Sequence, residues 1–159
     1  MATTTALLAA CSPGQGGCPA IAAVPAVSLT VVRGYVPQLE SLHMKACQDG
    51  TCTEGPLDLM PGSVSIGDEC NPDAGPDSVC SATASPDGTL IGSLMLERLT
   101  ESPVDVTLTG VGTDGAALPV RTHTITPVVS TPYGEQCGRF ISASVTLDAD
   151  GLSSRLPEP

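Results

Sequence analysis

The 159 residues predict an all-β chain: an antiparallel sandwich of about seven strands with one long, disulfide-stapled loop. Three observations carry this. Short runs alternate strictly between apolar and polar residues, Asp-Gly turn signals punctuate the runs, and the cysteine content is that of a disulfide-bonded protein.

Val27, Leu29 and Val31 alternate with Ser28 and Thr30. Leu42, Met44 and Ala46 alternate with Ser41, His43 and Lys45, and Leu90, Leu94 and Leu96 point one way with Gly92 between them. Val104, Val106 and Leu108 alternate with Asp105, Thr107 and Thr109, while Leu118 and Val120 open a further strand running to Thr126. Ile141, Ala143, Val145 and Leu147, set against Ser142, Ser144, Thr146 and Asp148, give the cleanest pattern. One apolar and one polar face per strand describes antiparallel sheets packed on a single side. Asp-Gly pairs at 49–50, 87–88, 114–115 and 150–151 predict turns, and residues 102–126 read as a hairpin. With 15 prolines and 17 glycines, long helices are disfavoured. The number and spacing of strands fit an immunoglobulin-like sandwich, although the buried Trp of true immunoglobulin domains is missing.

The domain is expected over 18–149, preceded by a signal-peptide remnant, lipobox and flexible tether at 1–17 and followed by a frayed tail at 150–159. Residues 55–87 are the exception to the strand pattern. Rich in Pro, Gly and acidic residues, they read as a long loop that needs stapling.

Composition narrows function. Hydrophobic residues make up 41% of the chain but aromatics only 2%, so burial falls to Val, Leu, Ile and Ala. A net charge of −11 repels phosphate backbones and anionic headgroups, which excludes nucleic acid and electrostatic membrane docking. No apolar run reaches the ~18 residues of a membrane-spanning helix.

Seven cysteines are many for a reduced cytosolic chain, and none of their spacings gives a zinc-type C-x-x-C pair. Leu8-Ala9-Ala10-Cys11 has the form of a bacterial lipobox, which assigns Cys11 to lipidation; the competing reading is an unpaired linker cysteine. Only ten residues precede Cys11 and the first basic residue is Arg33, whereas a secretory signal runs ~15–30 residues from a basic start. Setting Cys11 aside leaves six cysteines, whose pairing sequence alone does not fix. Local geometry favours Cys47 with Cys52 across the Asp49-Gly50 turn, and Cys70 with Cys80 around the turn-rich 71–77 loop. Cys18 and Cys137 then remain, joining the front of the domain to a late segment.

The order of a lipobox-like cysteine, Cys18-Pro19-Ala20-Ile21, the Cys47–Cys52 hairpin, the run from Val104 to Gly115, and Gly134-Glu135-Gln136-Cys137-Gly138 resembles a group of actinobacterial secreted proteins and lipoproteins. The resemblance spans roughly residues 8–147. It implies a small immunoglobulin-like sandwich whose outer cysteines are bridged, and it implies no activity. This chain departs from it in its short N-terminus, in lacking aromatics in the middle strands, and in the added Cys70/Cys80 loop.

Catalytic chemistry finds few residues. His43 and His123 are the only histidines; both read as solvated strand residues, and a small hydrolase using either is the remotest reading. Gly62-Ser63-Val64-Ser65-Ile66-Gly67 has the wrong register for a nucleophile elbow. Asp68, Glu69, Asn71, Asp73 and Asp77 have the density for calcium but not the spacing, and a solvated acidic loop fits better. No residue set asks for a metal or other cofactor. Tyr35 and Tyr133 are candidate exposed loop contacts, with Tyr133 the better partner contact because Cys137 would hold its loop; the competing reading, and the preferred one, is that Tyr133 covers the end of the sandwich. The expectation is therefore a non-catalytic exported binding or structural module of the cell envelope, a lipoprotein whose partner is another envelope or secreted protein and whose membrane contact is the lipid on Cys11. The alternative is a soluble secreted, protease-inhibitor-like binder presenting the 70–80 loop.

Overall fold

The alternating runs become strands whose apolar members face a common interior. The computed structural model of the chain describes residues 18–20, 24–67 and 82–154. They form β1 (Ala26–Val31), β2 (Leu39–Gln48), β3 (Thr51–Pro56), β4 (Met60–Gly67), β5 (Ala82–Met95), β6 (Val104–Gly112), β7 (Arg121–Ile125), β8 (Val128–Ser130), β9 (Phe140–Leu147) and β10 (Leu152–Ser153). One sheet, the S face below, runs β10-β9-β1-β5-β4, and β8 shares the β9 edge with β10. The second runs β3-β2-β6-β7. Among the described strands β1 and β9 are parallel, from Val27 beside Ala143 to Val31 beside Leu147, and the remaining pairings are antiparallel.

The core lies between the sheets. Val27, Leu29, Val31, Val145 and Leu147 come from one side; Leu42, Met44, Val104, Val106 and Leu108 meet them from the other. Each such side chain is worth about 1.5–3 kcal/mol when fully buried, so branched aliphatics supply what the scarce aromatics do not. Arg121 of β7 reaches the carbonyl of Ala149, 3.4 Å away, and links the edges of the two sheets. Among the described residues no helix is long and apolar enough to cross a membrane.

Several sequence expectations change. Ten described strands replace about seven: β8 and β10 are too short to show a period, and β4 lies in the stretch expected as a loop. The described parts of the 55–87 stretch, 55–67 and 82–87, are mostly strand: β3 ends at Pro56, and β4 pairs with a 14-residue β5 in a ladder that begins at Met60 and Ile91. Pro61 hid β4 from the sequence reading, but β4 is an edge strand, where proline is tolerated. Asp87-Gly88 is a bulge inside β5 and not a turn: from Pro61 to Ser63 its partners jump from Leu90 to Pro86. Gly88 has φ +79°, a backbone conformation that favours glycine, and a Cβ there would displace the Arg33 side chain that lies against it. Leu118 and Val120 precede β7 and are not part of it. Ser153 pairs with Thr146, so the ordered ladder continues past 150 into the expected tail. Tyr35 is buried in the core and is not a surface contact.

Two polar devices fix the connections. Gln48, 8% exposed, donates its amide to the carbonyls of Thr100 (3.1 Å) and Ser102 (2.5 Å) and accepts from the Thr100 N–H (3.0 Å), clamping the crossover from β5 to β6. At the bulge, Arg33 Nε donates to the Asp87 carbonyl at 2.8 Å, while the Asp87 carboxylate accepts from the Thr89 hydroxyl (2.7 Å) and N–H (2.9 Å). The hydroxyl bond foremost, then the N–H, hold the Asp87 carboxyl below its ordinary value of 3.8.

Replacing Gln48 by Ala should leave three backbone groups of half-buried Thr100 and Ser102 without their side-chain partner and destabilise the fold by roughly 1 kcal/mol in urea titration. A lowered Asp87 pKa stabilises the fold above the ordinary carboxyl value, and that contribution is lost as pH falls through the depressed one. Thr89→Val should therefore weaken the fold at neutral pH, and its deficit against the parent should shrink at strongly acid pH, as measured by paired denaturation curves.

Candidate functional site

Two bridges are formed among the described cysteines. Cys47 and Cys52 are direct cross-strand partners, one pair in from the Asp49-Gly50 turn, with Cα atoms 4.0 Å apart. The turn places Asp49 at φ 50° and Gly50 at φ 80°, the paired positive values of a two-residue hairpin. Cys18 and Cys137 lie 119 positions apart with Cα atoms 5.2 Å apart. Cys18 precedes β1 and Cys137 precedes β9, so the long bridge fastens the approaches to the two parallel strands. Cys11, the Cys70 and Cys80 pair, and the acidic cluster from Asp68 to Asp77 lie outside the described residues.

The loop carrying Cys137 is held at several points. The Gly134 N–H donates to the Thr131 carbonyl at 3.0 Å, the Cys137 N–H donates to Gly134 at 3.0 Å, and residues Glu135–Cys137 form one 3-10 turn. The Gln136 amide donates to the Tyr133 carbonyl at 3.1 Å. Tyr133 itself packs edge-on against Phe140, with centroids 5.7 Å apart and an interplanar angle of 67°. Such aromatic pairs add about 0.5–1.5 kcal/mol beyond area burial. Tyr133 remains 41% exposed, so a ring held by Phe140 stays partly accessible four residues from Cys137. That arrangement can meet a protein surface at little entropic cost.

The two histidines do not converge. His43 is exposed and pairs across the ladder with exposed Thr109, whereas His123 pairs with buried Val106. Opposite partners place the two rings on opposite faces of one sheet. His123 shares the inward side of β7 with Arg121, half-buried and not solvated as its alternation suggested. Among the described residues no cluster of three metal-ligating side chains forms. One surface hollow of about 130 Å³ is lined by Gln48, Asp49, Glu97 and Arg98, and another of about 160 Å³ by Val24, Leu99, Arg139 and Ile141. Both fall short of the roughly 300 Å³ at which ligand pockets begin.

Sequence reasoning missed the outer side of the S face. Its outward residues alternate with the core set and were legible in the same runs, yet they attract no motif because they are small or apolar. No protein-family model, curated protein or solved structure matches the chain.

Replacing Cys18 and Cys137 by Ser should lower stability by about 4–5 kcal/mol on the loop-entropy model, against about 2 for Cys47 and Cys52. Denaturation midpoints of the two double variants, measured without reductant, check that order.

Proposed function

We propose that the chain is a non-catalytic, exported, immunoglobulin-like module of the cell envelope, anchored by acylation of Cys11 and binding another envelope or secreted protein. The observation that carries this reading is the Cys18–Cys137 bridge. Disulfides persist in oxidising compartments outside the cytoplasm, and a second bridge in the same sandwich supports the same location. Cys11 lies seven positions before Cys18, a tether of at most about 25 Å when fully extended. A lipid there would hold the Cys137 loop near the membrane, with Tyr133 as its partner contact. The placement of His43 and His123 on opposite faces supports a binding role over a hydrolytic one.

The test is the mass of the mature protein made in an actinobacterial host. The expected product begins at Cys11 and carries acyl chains, and Cys11→Ala should release it from the membrane fraction. A mature protein that retains Met1 or lacks acylation removes the anchor. Cross-linking on intact cells through Tyr133 replaced by a photoreactive phenylalanine then identifies the partner.

A further inference from the structure

The two outer surfaces of the sandwich differ in kind. Outward positions of the β3-β2-β6-β7 sheet include Glu54, Lys45, His43 and Asp105. Outward positions of the S face follow from its registers. The row Ser144, Ser28, Ser93 crosses its middle, and Ala26 lies beside Met95. One rim carries Met60 opposite Ile91, together with Met95; the other carries Val128 and Phe140. Met60 is 59% exposed, Met95 57% and Val128 64%. Among the described strand residues that face outward here, Asp87 at the bulge is the charged one, and Thr89 engages its carboxylate. Beyond the bulge, Val64 and Ile66 of β4 continue the apolar rim, 48% and 60% exposed.

We propose that the S face docks a second copy of this chain, sheet against sheet, about a two-fold axis lying in the interface. Three features select that occupant. Each copy carries a net charge of −11, so two copies can approach closely only through a surface poor in carboxylates; among the described strand residues the outer side of the S face carries one, Asp87, whereas the other sheet carries Glu54 and Asp105. The pattern across the strands, apolar rim, serine centre, apolar rim, is symmetric. A two-fold axis in the plane therefore sets apolar against apolar and serine against serine, as an isologous interface requires. The size also fits. Five strands at ~4.8 Å spacing and six residues of length give about 500 Å² of flat area, and the β4–β5 extension brings it to about 650 Å². Corrugation raises the accessible area above that figure, towards the roughly 800 Å² per partner of a stable complex. A lipid surface fits less well, because the centre is polar and the overall charge repels anionic headgroups. The proposal stands apart from the acylation of Cys11.

Sedimentation equilibrium of the oxidised chain tests it. A monomer–dimer equilibrium is expected at or below protomer concentrations on the order of 100 µM. Added salt should strengthen it, since screening relieves repulsion between like-charged copies. Ile91→Lys and Val128→Lys, on opposite rims, should each raise the dissociation constant at least about tenfold, whereas Thr122→Lys on the other sheet should leave it unchanged. Circular dichroism confirms that each variant is folded, and the parent's own concentration and salt dependence decide the matter if the rim variants are not. A monomer throughout that range, a dimer that salt dissolves, or a dimer equally sensitive to Thr122→Lys overturns the proposal. So does flotation of the unacylated monomer with phosphatidylcholine vesicles.

Discussion

The parallel alignment of β1 and β9 is the constraint on which the rest of the molecule depends. Parallel neighbours cannot be joined by a tight turn, and here more than a hundred residues separate them in the chain. All of the intervening strands must be arranged so that the first and the ninth arrive side by side. The Cys18–Cys137 bridge sits just outside that junction and makes the arrangement covalent. With β1 fixed between β9 and β5, its three inward side chains, Val27, Leu29 and Val31, form the middle of the core.

Packing and covalent closure divide the work differently here from an aromatic-rich sandwich. Tyr35 is the one aromatic ring in the described core, and the other core members are aliphatic or methionine. Aliphatic side chains fill an interior well but bury less area each than a ring. Closing a long loop acts on the unfolded chain instead and compensates without demanding volume inside. Gln48 contributes in a third way, satisfying backbone groups of a crossover that no ladder reaches.

Much of the fold was legible because period-two alternation and inward burial are the same fact. The pattern selects most of the buried residues of β1, β2, β6 and β9, while Leu39, Gln48 and Thr146 are buried outside it, and the Cys47–Cys52 hairpin follows from Asp49-Gly50. Failures occurred where local chemistry serves two geometries. Asp87-Gly88 signals a positive φ, which a turn and a bulge use alike, and only the partner strand decides between them. Pro61 argues against a central strand but is silent about an edge. Tyr35, between Gly34 and the Pro37 that follows it, resembles a loop residue, yet it joins one core cluster with distant Leu42, Leu108 and Leu147. The candidate contact surfaces were less legible still. Tyr133 could be singled out from its neighbour Cys137, but the uncharged character of a whole sheet face exists only once registers align residues far apart in sequence.

The position of β1 also dictates when the molecule can finish folding. Its two neighbours are β5 and β9, and β9 lies within the last twenty residues of the described chain. A chain emerging N-terminus first must therefore keep β1 waiting, with one edge unpaired, until β9 arrives more than a hundred residues later. Such late, distant pairing folds slowly and leaves sticky intermediates. A carrier that shields β1 until β9 is released would do more for the yield of this molecule than any gain in its final stability.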